Sequence, residues 1–177
     1  MNTDAVEFVD GEGIASRVLT LFEELRAMLA AVLPAAGIEH VGSTAIPGAV
    51  TKGDLDVCVL VDASAFREAD RVLAERFARN VGSYQSESLS SFVDDSRPIP
   101  VGVQLVVRGG AEDFFVRWRD LVRRSPQVLS DYNQLKHEWH GGSHEGYRAA
   151  KSQFIEDTLR ASEVASSAMP WTGCVRH

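Results

Sequence analysis

Asp54 and Asp56 stand two residues apart, and they follow a turn of small residues, Gly42-Ser43-Thr44-Ala45-Ile46-Pro47-Gly48, with ten residues between Ser43 and Asp54. Side chains two apart on a strand leave the same face, so both carboxylates point one way and can ligate a single divalent cation. The turn complements them. Glycine lets the backbone approach a phosphate closely, successive N–H groups donate to it, and a serine hydroxyl adds a further donor. Together these residues suit Mg²⁺ and a nucleotide, because the metal neutralises and orients the triphosphate during in-line attack. Lys52 either reaches a phosphate from the same loop or is solvated.

The longer pattern narrows the possibilities. The run 42–48, followed by Lys52 and Leu55-Asp56, resembles the GrpB family, a branch of the nucleotidyltransferase superfamily also found fused to dephospho-CoA kinases. Downstream, 114–121, 126–136 and the set Tyr147, Ala150, Lys151, Phe154 and Ile155 look like that family's helical half, so the resemblance covers about 37–159. It implies an α+β, nucleotidyltransferase-like mixed sheet flanked by helices, with a C-terminal helical subdomain. It also implies that Asp54 and Asp56 are the catalytic and Mg²⁺-binding acids, with Gly42, Ser43, Thr44, Lys52, Gln104 and Lys151 against the nucleotide. The implied reaction moves a nucleoside monophosphate from a nucleoside triphosphate to a small acceptor.

In two places the chain departs from that pattern. Family members often carry an apolar residue where this chain has Asp54. The third carboxylate that active polymerase-like members place on a later strand is absent, and Gln104 stands there, flanked on its face by Gly102 and Val106. An amide neither accepts a proton as a general base nor replaces a carboxylate's charge on a metal. Asp94, Asp95 and Glu87 are the nearby substitutes, although a connector is a poor place for a precise ligand. Two alternatives to an enzyme follow: a weakened module binding a nucleotide or a coenzyme-A-like ligand, and a noncatalytic interaction scaffold.

Composition bounds the rest. The 177 residues, 45% hydrophobic and 24% charged, suit a soluble globular protein, and no apolar run approaches a membrane span. A formal charge of −7 argues against a duplex nucleic acid as partner. Cys58 and Cys174 make no disulfide framework, and no Cys/His spacing suits zinc. The first residues lack the basic and apolar regions of a secretory signal, so a cytoplasmic location is expected.

The positioning elements follow from periodicity. Apolar residues from Ile14 to Val32 at three- and four-residue spacing predict a helix over about 12–33, ended by Pro34 and Gly37. A short strand over 38–41 leads into the 42–53 loop, which Pro47 and Gly48 keep irregular. From Asp54 the residues alternate, and the strand is central because one face is wholly apolar while the other is acidic only at its start. Ser64 is expected to cap a helix to about Arg79, and 81–93 and 101–107 read as antiparallel strands.

Three helical patterns complete the chain, the second starting at Ser125-Pro126 and the third at Ser143. Periodicity fades after Arg160. The expected organisation is one domain over 1–160, its sheet core about 12–107 and helical part about 111–160, with 161–177 a flexible tail. Some side chains carry a structural expectation. Arg117, Arg119, Arg123 and Arg124 read as a solvated helix face, Lys136 as surface, and Trp118 and Trp139 as core. His40 either bonds the loop or packs beneath it, and Lys151 either snorkels at the edge of its apolar stripe or enters a cleft as a phosphate counter-charge.

Overall fold

The computed structural model describes residues 5–167. In chain order the elements are β1 (Val9–Asp10), α1 (Ala15–Val32), β2 (Gly37–Val41), β3 (Val50–Thr51), β4 (Leu55–Val61), α2 (Phe66–Ala74), β5 (Ala78–Arg79), β6 (Leu89–Asp94), β7 (Val101–Val107), α3 (Phe115–Arg124), α4 (Pro126–Glu138) and α5 (His144–Ser167). Five strands form a mixed sheet in the order β2-β4-β7-β6-β5, with β4 and β7 parallel and the other pairs antiparallel. This is the α+β arrangement expected from the sequence. β1 and β3 pair separately as a short ribbon.

β4 is central because of its composition. Leu55, Val57, Val59 and Val61 join Val18, Phe22, Leu25 and Leu29 of α1 and Phe66 and Leu73 of α2 in the main core. Cys58 and Leu60 leave the opposite face, beneath Phe115 and Val116 of α3. Burial on both faces accounts for the near-continuous apolar run, and each such side chain contributes roughly 1.5–3 kcal/mol on leaving water. Burial also pushes the Cys58 thiol up to about 12, which makes it an inert apolar group. Asp56 alone interrupts the run, where the strand opens into a cleft.

A second core holds the helices together. Trp118 and Val122 of α3 pack with Tyr132 of α4 and Phe154 and Ile155 of α5, and Ile46 and Ala49 of the 42–53 loop insert among them. That loop contains only a 3₁₀ turn at Ser43–Ala45 and the two residues of β3, so side chains from the helices satisfy its backbone. Arg123 donates to the Ala45 carbonyl at 2.9 Å, while Asn133 donates to the Gly48 carbonyl at 2.8 Å and accepts from the Val50 N–H at 2.9 Å. Ser125 caps α4 by accepting from Val128 N–H at 3.3 Å, with Pro126 in the first turn as its spacing predicts.

Several expectations change. No side chain caps α2, which stops at Ala74; Ala78–Arg79 becomes an edge strand, anchored by Arg79 on Asp70 and over the Phe92 ring. Within 81–93 only the segment from Leu89 onward is strand, and Val81 and Tyr84 are exposed before it. α5 continues past Arg160 to Ser167, and Arg117 of α3 pairs with Glu163 on this extension. Residues 168–177, including Cys174, lie outside the described residues. The arginines of α3 are not a uniformly solvated face: Arg119 is 8% exposed and donates to Glu39 and the His40 carbonyl, each at 2.8 Å. Among the described residues no helix is long and apolar enough to cross a membrane.

Candidate active site

Strand register sets the floor of the cleft. Asp56 lies between Val41 of β2 and Gly102 of β7. Gly42, one residue on, has φ 71° and ψ −172°, a conformation open essentially to glycine alone. A Cβ there would fall 2.1 Å from Asp56 Oδ2, and one on Gly102 would fall 2.9 Å from Oδ1. Two glycines, one just past the end of β2 and one within β7, therefore clear the space around one carboxylate.

Asp54 precedes β4, with Oδ2 3.4 Å from Lys52 Nζ. Burial, followed by the charge of Asp54, raises Asp56 to about 7 against the opposing pull of Lys151 and Lys52. A divalent cation relieves two crowded carboxylates. The donor set fits Mg²⁺, which takes one or two carboxylates and fills its remaining positions with water and substrate phosphate. Among the described residues no three His, Cys, Asp or Glu side chains form a metal-binding group.

The turn is held from below. Thr44 Oγ1 donates to the Asp54 carbonyl at 3.0 Å, and its only proton is thereby used. His40 Nε2, 3.1 Å from Thr44 Oγ1, is then the donor, which fixes the Nε2–H tautomer. The ring also stacks on Phe22 at 5.1 Å, and burial with the nearby Arg123 and Arg119 charges lowers it to about 4. So His40 both bonds the loop and packs beneath it. Thr44 is the one expected nucleotide contact that does not line the cleft; it positions Asp54 instead.

The wall opposite comes from α4 and α5. Lys136, expected at the surface, is 0% exposed. Its Nζ donates to Ser43 Oγ at 2.8 Å and to the Val50 carbonyl, and it stands 3.8 Å from the centre of the Tyr132 ring. The ammonium finds three partners under the loop, which explains its burial, and desolvation lowers it to about 7. Tyr132 interacts with Ser43 and Tyr147, and burial raises both phenols. Lys151 sits over the Tyr147 ring at 5.6 Å and lines the cleft; burial lowers it despite Asp56.

Gly42, Ser43, Lys52, Asp54, Asp56, Gln104 and Lys151 all border this one cleft of about 950 Å³. Sequence reasoning passed over Tyr132, Tyr147, Gly102 and Arg148. The signal for the first two was present: Tyr132/Lys136 and Tyr147/Lys151 repeat one Tyr-x-x-x-Lys spacing, which puts each pair on one helix face. Asp94, considered as a third acid, is held by Ser96 and Arg97, and Phe92 of the same strand face packs in the main core.

Residues 15–161 match the family model described as GrpB protein. Over 157 residues the chain is 35% identical to a UPF0157 protein of Vibrio cholerae serotype O1, covering 88% of this chain and 83% of that protein. The crystal structure of the conserved protein GrpB from Enterococcus faecalis is similar with a TM-score of 0.64 and 17% identity, over 82% of this chain and 94% of that one, a likeness of fold. A structure of the Cid1 poly(U) polymerase with Mg and 3′-dATP bound has a TM-score of 0.48 and 16% identity, over 72% of this chain and 41% of that one.

Proposed function

The chain belongs to the GrpB family, and from its cleft we propose that it is a Mg²⁺-dependent nucleotidyltransferase, moving a nucleoside monophosphate from a nucleoside triphosphate to a small acceptor. The observation that carries this is the convergence of Asp54 and Asp56 from the sheet, Ser43 from the turn and Lys151 from α5 on one cleft. Asp54 and Asp56 would hold the metal, which when bound supplies charge neutralisation at the phosphates. Gly42 and Ser43 seat the phosphates, with the Ser43 oxygen fixed by Lys136. Lys52 and Lys151 balance the remaining charge, and Gln104 borders the acceptor side.

Pyrophosphate release with a nucleoside triphosphate, Mg²⁺ and an extract of small metabolites tests the proposal. In Asp56→Asn, release should fall at least 10²-fold, the scale of losing a preorganised electrostatic group. Equal nucleotide binding without release in either protein overturns it. Gln104, in place of a third acid, favours a second possibility: a nucleotide- or coenzyme-A-like-ligand-binding module without turnover. Metal-independent nucleotide binding with no pyrophosphate released selects that module.

A further inference from the structure

Among the described residues, Gln104 Oε1 is the buried side-chain polar atom that has no hydrogen-bond partner. The amide lies on the cleft side of β7. A Cβ built on Gly102 would meet both Asp56 Oδ1 at 2.9 Å and Gln104 Nε2 at 3.3 Å, so the carboxylate and the amide border the same small volume. An amide in that place orients a nucleophile through its N–H and carbonyl but takes no proton from it.

Other carboxylates around the cleft are engaged. Glu112 accepts from Ser86 and Ser88, Glu156 pairs with Arg160, and Glu163 pairs with Arg117. Asp95 is exposed on the connector between β6 and β7. With Asp54 and Asp56 committed to the metal in the proposed transferase, a neutral hydroxyl acceptor, ionising far above pH 7, meets no free positioned base. Two cations face the same space: Lys151 lies over Tyr147, and Arg148 donates to the Gly82 carbonyl at 2.9 Å. Neither makes a close ion pair with a described carboxylate, although Asp56 and Asp54 attract Lys151 at longer range.

We propose, on the basis of the transferase assignment above, that the acceptor is a phosphate monoester, seated between Gln104 and Arg148, with Lys151 shared between it and the triphosphate. A phosphate monoester loses its second proton near pH 6, so its attacking oxygen is already ionised at neutral pH. Two cations bordering one space suit this dianion better than the single charge of a carboxylate. A monoester oxygen attacks the α-phosphorus and forms a new P–O bond. The bond from that phosphorus to the oxygen bridging the β-phosphate breaks, and its electron pair leaves with pyrophosphate. The product is a phosphoanhydride, and no proton leaves the nucleophile. Gln104 Nε2 donates to the acceptor phosphate, and rotation of the amide would bring its occluded, unpartnered Oε1 to a donor on the acceptor's body.

For the test, a protein-free metabolite extract is divided and one half is treated with alkaline phosphatase, which is then removed. Each half receives the full-length protein, Mg²⁺ and a nucleoside triphosphate. Pyrophosphate release should follow from the untreated half and be at least tenfold lower from the treated half. Equal release from both overturns the phosphate acceptor and leaves nucleotidyl transfer standing. Release from neither overturns transfer itself, and the acceptor assignment with it.

Arg148→Met should raise the KM for the extract's acceptor about tenfold while the KM for the triphosphate stays unchanged; an unchanged acceptor KM overturns the seat. Gln104→Glu adds a negative charge beside the acceptor and should lose activity with phosphorylated acceptors. Asp95→Asn should be neutral. A tenfold loss there means that a base is in use, which also overturns the assignment.

Discussion

The floor of the cleft and its wall bring opposite charges to the same space by different means. On the floor, Asp56 is placed by strand geometry: alternation along β4 aims the carboxylate, and Gly42 at the end of β2 and Gly102 on β7 make room for it. On the wall, Tyr132/Lys136 and Tyr147/Lys151 share one spacing on two helices, yet their lysines have different surroundings. Lys136 is sealed beneath the 42–53 loop with oxygen partners, whereas Lys151 remains in the cleft. Helical spacing decides which side chains share a face; packing against the loop decides which of them is buried. Burial moves both groups towards neutrality, Asp56 up to about 7 and Lys136 down to about 7.

The strongest way to break the floor is Gly42→Ala. Its φ of 71° strains any side chain, by roughly 1–3 kcal/mol. The clash with Asp56 Oδ2, only 2.1 Å from the new Cβ, adds overpacking of similar size. Urea denaturation should show a loss of about 4 kcal/mol in all, with nucleotide binding lost as well because Asp56 must move. A loss below about 1 kcal/mol would mean that the turn tolerates a Cβ and that the glycine does not set the position of the acid.

On the wall, Lys136→Ala should cost about 3 kcal/mol, because it opens a cavity and strands two acceptors, Ser43 Oγ and the Val50 carbonyl. A surface lysine would cost almost nothing, so the same denaturation measurement separates the observed burial from the sequence expectation. That expectation failed for a physical reason. Lys136 follows Leu135 and looks like the polar edge of a helix, and nothing local reveals that an irregular loop 86 residues earlier brings its carbonyl there.

What was legible in the chain was what local geometry fixes. The alternation of β4, the Ser125-Pro126 start of α4 and the Gly42-Ser43 turn are each set within a few residues. Arg119, Arg123 and Asn133 were not legible, because their roles exist only when α3 and α4 meet the loop. Gln104 could be located in the sequence as the missing acid's position. Its unpartnered carbonyl oxygen could not, since that depends on what surrounds it.

The pH dependence of stability sharpens the contrast, because the two groups act in adjoining windows with opposite signs. Asp56, raised from 3.8 to about 7, holds its proton more tightly when folded, so stability present below pH 3.8 is lost as pH climbs to about 7. Lys136, lowered from 10.5 to about 7, leaves the unfolded chain with more protons between those values, so stability recovers as pH rises through them. Urea denaturation across this range should show a minimum near neutrality, the acidic limb reduced by solvent in the cleft to about 2 kcal/mol and the alkaline limb, from the sealed lysine, about 4 kcal/mol. Asp56→Asn should flatten the acidic limb alone, and Lys136→Met the alkaline limb alone. If one substitution flattened both, a shared titration would replace the two separate ones.

Lys151→Met should give the smallest change in stability and the cleanest separation of the two Tyr-Lys turns. Lys151 has no carboxylate within ion-pair distance among the described residues, and burial lowers its proton affinity, so the folded protein gains little from the charge. A methionine keeps the packing against Tyr147, and the free energy of unfolding should stay within about 0.5 kcal/mol of wild type. Affinity for a Mg²⁺–nucleoside triphosphate should nevertheless fall about tenfold, near 1.4 kcal/mol, as expected for the loss of one counter-charge in a recessed site. Lys136→Ala shows the opposite balance, a large loss of stability. The same spacing would then serve ligand binding on α5 and loop anchoring on α4, with the 42–53 loop as the cause of the difference. If Lys151→Met instead lost stability and kept its affinity, both lysines would be anchors, and the positive side of the cleft would rest on Lys52 and Arg148.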